Sequence, residues 1–146
     1  MSINKLLIFV FIIVLGLFVE KPAAADEPSY ADTVSFLRNK VLGIFLERQN
    51  CQFSYSKPND STSANAPDHQ KVFDAKLLDR SPKWVENGAA TFVCADGANC
   101  ATLDSSMAGN FIIIDGSAEN INQVVKAMSH LIDLCKAQSG QTQLFK

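Results

Sequence analysis

The chain has 146 residues, 47% of them hydrophobic, and carries 13 basic against 15 acidic side chains. That length holds one ordinary domain with its own core and excludes a large two-domain enzyme. A net charge of −2 supplies no electrostatic footprint for nucleic acid or an anionic membrane surface.

Residues 1–25 read as a secretory signal peptide. Lys5 makes a weakly basic start, residues 6–19 are uncharged and apolar with Gly16 as the one interruption, and Ala23 and Ala25 meet the small-residue rule for cleavage. The expected cut follows Ala25 and leaves residues 26–146 as a single globular domain. The apolar run is shorter than the roughly 20 residues a spanning helix needs, so an uncleaved anchor is the rival reading. No cysteine follows the run to take a lipid, and no later segment is long and apolar enough to span. The mature chain is therefore expected in the periplasm or secreted, without an integral membrane segment.

Residues 29–48 predict the first helix. Tyr30, Val34, Leu37, Val41, Ile44 and Phe45 fall on a 3.6-residue stripe, Ser29 and Asp32 approximate a capping box, and Gly43 weakens the last turns. Residues 51–57 alternate as a half-buried strand, with Cys51, Phe53 and Tyr55 inward and Gln52, Ser54 and Ser56 outward. Residues 57–70 lose all hydrophobic pattern and read as a polar loop. Asn59 opens a glycosylation sequon there, relevant only in a eukaryotic secretory pathway.

Alternation resumes at residues 72–78, which predicts Phe73, Ala75 and Leu77 in the core. Ser81-Pro82 interrupts it. A short strand around Trp84 follows, then the hairpin signal Asn87-Gly88 and a strand at residues 90–95 with Phe92 and Cys94 on one face. Asp96-Gly97 signals a second turn, with a return strand at residues 100–104. Residues 110–115 contain the run Phe111-Ile112-Ile113-Ile114, expected as a strand covered on both faces.

The last helix has the clearest pattern. Ser117 is the expected N-cap, and Ile121, Val124, Val125, Met128, Leu131, Ile132 and Cys135 form one face. Ser139-Gly140 supplies the expected stop. Only Lys126 and Lys136 are basic on its polar side, so burial in the protein is preferred to lying on a membrane.

The four cysteines are Cys51, Cys94, Cys100 and Cys135. An even number in an exported chain suggests two disulfides, with three possible connectivities. Direction selects among them: Cys51 and Cys135 point into the core from opposite sides, and Cys94 and Cys100 flank a turn as a hairpin staple. The pairing expected is Cys51–Cys135 and Cys94–Cys100. A metal site is not expected, since no C-x-x-C pair occurs and His69 and His130 lack zinc-finger spacing.

No catalytic residue is assigned. His130 lies about 160° from the centre of the apolar stripe and is expected to face solvent. Asp74, Asp79, Asp96, Asp104 and Asp115 are scattered at strands and strand ends, where aspartate is ordinary turn chemistry. Ser105, Ser106 and Ser117 lack a nucleophile elbow, and no phosphate loop or other cofactor motif is present. Trp84, the one tryptophan, stands beside a turn and is the candidate partner contact, with core filling as the commoner role for such a residue.

Three stretches together carry a resemblance: AENINQVVKAMSHLIDLC at residues 118–135, VFDAKLLD at residues 72–79 and TFVCADGANC at residues 91–100. Their pattern resembles small exported bacterial proteins of unknown function with a PH-like architecture. The resemblance implies a bent antiparallel sheet closed at one end by the last helix, and PH-like domains host lipid, peptide and protein binding. The fold class expected is α+β: about five or six strands, an N-terminal helix and a long C-terminal amphipathic helix.

The function expected is an exported, non-enzymatic binding or interaction module for an unidentified protein or small-molecule ligand, without a cofactor. Two other readings stand beside it. One is a small periplasmic or secreted enzyme whose site draws on scattered Asp, Ser and Tyr residues. The other is an envelope structural or stress protein.

Overall fold

The computed structural model describes residues 26–57, 70–103 and 107–141. The leader and nearly all of the 57–70 loop, with Asn59 and His69, lie outside the described residues, as do Asp104, Ser105 and Ser106. The fold is α+β, with two helices and two antiparallel sheets among the described residues.

Helix α1 spans Tyr30–Lys40. Ser29 and Asp32 form the full capping box, which satisfies two otherwise orphaned N–H groups. The helix expected as far as Arg48 stops eight residues earlier than that, and Ile44–Gln49 is strand β1. Val41 already has extended backbone, and Gly43 sits at φ +139°, where a Cβ would lie 2.3 Å from the Ser56 carbonyl oxygen. That turn redirects the chain. The spacing of Val41, Ile44 and Phe45 imitates a helical stripe, but Ile44-Phe45-Leu46 is also good strand sequence, and pairing with β2 decides the outcome.

Strand β2, Gln52–Ser56, pairs with β1 across a turn in which Asn50 and Cys51 both have positive φ. Cys51 is thus a buried turn residue rather than a strand residue. Ser54 and Ser56, expected on the water side, are buried as well. Strand β2 is interior, and the small Ser54 is recessed between its cross-strand neighbours Leu46 and Val72.

Strand β3, Lys71–Asp74, runs into a 3-10 turn at Ala75–Leu77. The Asp74 carboxylate accepts the Lys76 N–H at 2.9 Å and starts that turn. The turn shifts the phase of the alternation. Leu77, expected in the core, is 45% exposed, and Leu78 is fully buried in its place.

Strands β4 (Trp84–Glu86) and β5 (Ala89–Val93) form the expected hairpin, with Asn87 and Gly88 at φ +50° and +80°. Beyond β5 the expectation fails. Strand β6 (Ala101–Leu103) does not fold back on β5; it pairs with β3 and with β7 (Met107–Gly109). The turn signal at Asp96-Gly97 is genuine, with both residues at positive φ, but it carries the chain from one sheet to the other. Strand β8, Phe111–Asp115, lies at the other edge of the β5 sheet. It is not covered on both faces: Ile112 and Ile114 are buried, while Phe111 is 46% exposed. The sheets are ordered β1-β2-β3-β6-β7 and β4-β5-β8. The eight strands in two sheets among the described residues exceed the five or six expected, because β1 lies in a stretch with helical spacing and β7 is too short for its period to show.

Helix α2, Ile121–Gln141, closes the structure. Ile121, Val124, Met128, Leu131, Ile132 and Cys135 are buried, each apolar side chain contributing about 1.5–3 kcal/mol. They meet the ring cluster Phe45–Phe53–Phe73, whose centroids are 5.1 to 6.2 Å apart, and Phe92 and Leu78 share the same core. The helix continues through the expected stop at Ser139-Gly140; the Ser139 hydroxyl donates to the Lys136 carbonyl at 2.7 Å within the helix.

Two disulfides hold these parts together, Cys51–Cys135 and Cys94–Cys100. The pairing is the one expected from side-chain direction. The first fastens α2 to the β1–β2 turn. The second is not a hairpin staple: it ties the end of β5 to the start of β6, and so links the two sheets.

Candidate binding face

The three-stranded sheet turns one face to the core and one outward. Ala90, Phe92, Ile112 and Ile114 point inward and are fully buried. The alternate positions form rows on the outer face: Trp84, Thr91 and Ile113 in one, and Glu86, Ala89 and Asp115 in the next. Val93 and Phe111 pair in a third. Trp84 is 58% exposed, so the candidate contact residue is not a core filler.

The surface is a pit because of the order of side-chain sizes. The central strand contributes small residues, Ala89 and Thr91, and the edge strands contribute Trp84, Glu86 and Ile113. Asn87, held in the hairpin turn, closes one end. The volume is about 510 Å³. The Lys83 ammonium lies 4.7 Å from the Trp84 ring centroid, a cation–π contact within the chain.

Asp115 belongs to the same face but is occupied elsewhere. Its carboxylate takes the Lys57 ammonium at 3.1 Å and lies 3.0 Å from the Tyr55 hydroxyl, which is also 2.7 Å from the Leu42 carbonyl. Burial, with the Asp115 charge adding to it, pushes the Tyr55 phenol well above its ordinary pKa, although the Asp115 N–H donated to its oxygen opposes the shift. The Lys71 ammonium is pushed down by burial, and Asp115 partly offsets this. A phenol held protonated beside a paired carboxylate joins two sheets but supplies no base or nucleophile.

The other candidates are dispersed. His130 is half-buried rather than solvent-facing, and its Nε2 lies 2.7 Å from the Pro28 carbonyl oxygen. The segment entering α1 packs over that side of α2, which the helical angle alone cannot reveal. His130 and Phe36 line an apolar groove of about 490 Å³ between the helices, with Asp32 and Lys126 at its rim. Asp74 caps its turn and pairs with Lys76, and Asp96 holds a positive-φ turn position. The Ser117 hydroxyl accepts from the Asn120 amide. No group of three or more His, Cys, Asp or Glu residues that could hold a metal ion occurs among the described residues.

Sequence reasoning named Trp84 but missed Glu86, Asn87, Thr91 and Ile113. The two-residue turn at Asn87-Gly88 sets the register and so carries the signal for Trp84 facing Thr91. Nothing local signals that β8 lies beside β5.

Comparison with protein-family models, with curated proteins and with solved structures finds no match. Two disulfides fit an oxidising, extracytoplasmic environment. No helix among the described residues is long and apolar enough to cross a membrane.

Proposed function

We propose that this protein is an exported, non-enzymatic binding module, released into the periplasm or secreted after cleavage behind Ala25, and that it engages its ligand through the outer face of β4-β5-β8. The exposure of Trp84 carries the reading. A tryptophan 58% open to water, with Phe111 beyond it on the same face, leaves apolar area uncovered that the core could have taken. Exposed aromatic side chains on such a face are common energetic anchors of association. The resemblance to exported proteins with a PH-like architecture agrees with a binding role.

The test is retention of the purified, oxidised protein on envelope fractions of its own host. Wild type and Phe36→Ala, which alters the distant helix groove, are retained equally, and Trp84→Ala is lost. Equal retention of Trp84→Ala removes the face from the reading. Mass analysis of the exported protein checks the leader: the N-terminus is Asp26, and recovery of intact Met1 in membranes overturns cleavage.

A further inference from the structure

We propose that the pit beside Trp84 binds a neutral saccharide unit, with the indole as the stacking platform and Glu86, Asn87 and Thr91 as partners for the sugar hydroxyls. This deepens the reading of the outer face as a binding surface and rests on it.

Three properties of the pit select the ligand class. The first is its mixed lining: Trp84, Ala89 and Ile113 are apolar, and Glu86, Asn87 and Thr91 are polar. A wholly apolar ligand would strip water from that carboxylate and amide without replacing their hydrogen bonds, at a net cost. A pyranose has both surfaces: a face of C–H groups that lies on an indole, and a rim of hydroxyls that donate and accept.

The second property is that the polar groups are uncommitted among the described residues. No hydrogen bond or ion pair joins the side chains of Glu86, Asn87 or Thr91, or the Trp84 indole N–H, to another described residue. The set offers both kinds of partner: carboxylate oxygens accept, the indole N–H donates, and the amide and hydroxyl do both. Hydroxyls that must donate and accept within one ring match that mixture. The groups stand on paired strands and a two-residue turn, so little ordering is required on binding.

The third property is charge. Glu86 repels phosphates and carboxylates. A cation would be drawn to Glu86, but the Lys83 ammonium, 4.7 Å from the indole centroid, repels it. A neutral ligand meets neither repulsion. The volume of about 510 Å³ lies within the range of about 300–1,000 Å³ usual for small-molecule sites.

Trp84 is the only tryptophan, so indole fluorescence reports this site alone. The experiment titrates the oxidised protein with two neutral probes, chitotetraose and maltotetraose, and with choline, inorganic phosphate and adenosine. At least one tetrasaccharide produces a saturable emission change, and the other three produce none. Glu86→Gln, which keeps an acceptor, binds the sugar within about threefold of wild type, and Glu86→Ala loses about tenfold. Asn87→Gly retains the turn but removes the amide, and it also weakens binding by about tenfold.

A saturable response to choline, phosphate or adenosine with none to either sugar overturns the saccharide assignment. So does equal sugar affinity in wild type, Glu86→Ala and Asn87→Gly. If neither sugar binds but Trp84→Ala still loses envelope retention, the ligand class is wrong and the binding face stands. If both effects are missing, the functional reading itself fails.

Discussion

The Tyr55 hydroxyl of the larger sheet lies 3.0 Å from the Asp115 carboxylate of the smaller one and accepts the Asp115 backbone N–H at 3.2 Å. The same oxygen reaches the Leu42 carbonyl at 2.7 Å, so one buried phenol connects β2, β8 and the segment between α1 and β1. Asp115 is thereby withdrawn from the chemistry of the outer face and used to hold that face in position.

Tyr55→Phe keeps the ring in the core but leaves the Leu42 carbonyl and the Asp115 groups without this partner. The expected cost is about 1–3 kcal/mol in urea unfolding at pH 7. Tyr55 is also expected to lower stability at alkaline pH, together with Tyr30, whose pKa is raised by burial and by its hydrogen bond to Glu47. A folded-state pKa above the unfolded one gives stability that is fully present below about pH 10 and declines as pH rises further, because the unfolded chain releases its proton first. Unfolding at pH 9 and pH 11 measures this. Wild type loses stability between the two, and Tyr30→Phe/Tyr55→Phe loses less. Parallel losses assign the alkaline limit to other groups.

The two disulfides differ in what they restrain. Cys51–Cys135 closes a sequence separation of 84 residues, and Cys94–Cys100 one of 6. In the chain-entropy treatment these correspond to about 4–5 and about 2–3 kcal/mol. Cys51→Ala/Cys135→Ala is therefore the more damaging pair, since it also frees α2 from the sheet it covers. Denaturant midpoints of the two double variants give the order. A larger loss for Cys94→Ala/Cys100→Ala makes the link between the sheets the dominant restraint.

Helix α2 and the β4–β5 hairpin were legible because their signals are local: a long 3.6-residue stripe and a turn dipeptide that demands positive φ. The helical spacing of Val41, Ile44 and Phe45 is coincidental, and the interruption at Gly43 depends on contact with Ser56, thirteen residues away. The exchange of β6 and β8 between sheets depends on pairings distant in sequence, which no window of residues contains. The binding face was half legible for the same reason. Trp84 is conspicuous as a single tryptophan, but the pit beside it exists only once Ile113 is brought across β5.

The 3-10 turn at Ala75–Leu77 makes a sharp test of the core. Strict alternation puts Leu77 inside, and the turn exchanges it for Leu78. Leu78→Ala is expected to cost about 2–5 kcal/mol, and Leu77→Ala less than about 1 kcal/mol. The reverse order in urea unfolding restores an uninterrupted strand through residues 72–78.

Function and stability separate on a single sheet. Trp84 and Phe92 occupy neighbouring strands, but Trp84 projects outward and Phe92 is fully buried on the core side. Phe92→Ala opens a cavity among Ile112, Ile114 and the helix stripe and should cost about 3–5 kcal/mol. Trp84→Ala removes an exposed ring and its cation–π contact with the Lys83 ammonium, worth about 0.5–1 kcal/mol at an exposed site. Its unfolding free energy should stay within about 1 kcal/mol of wild type, even though envelope retention is lost. A core-sized stability loss on Trp84→Ala would make the indole a structural element. The retention assay would then report unfolding, and the outer face would lose its claim as the binding surface.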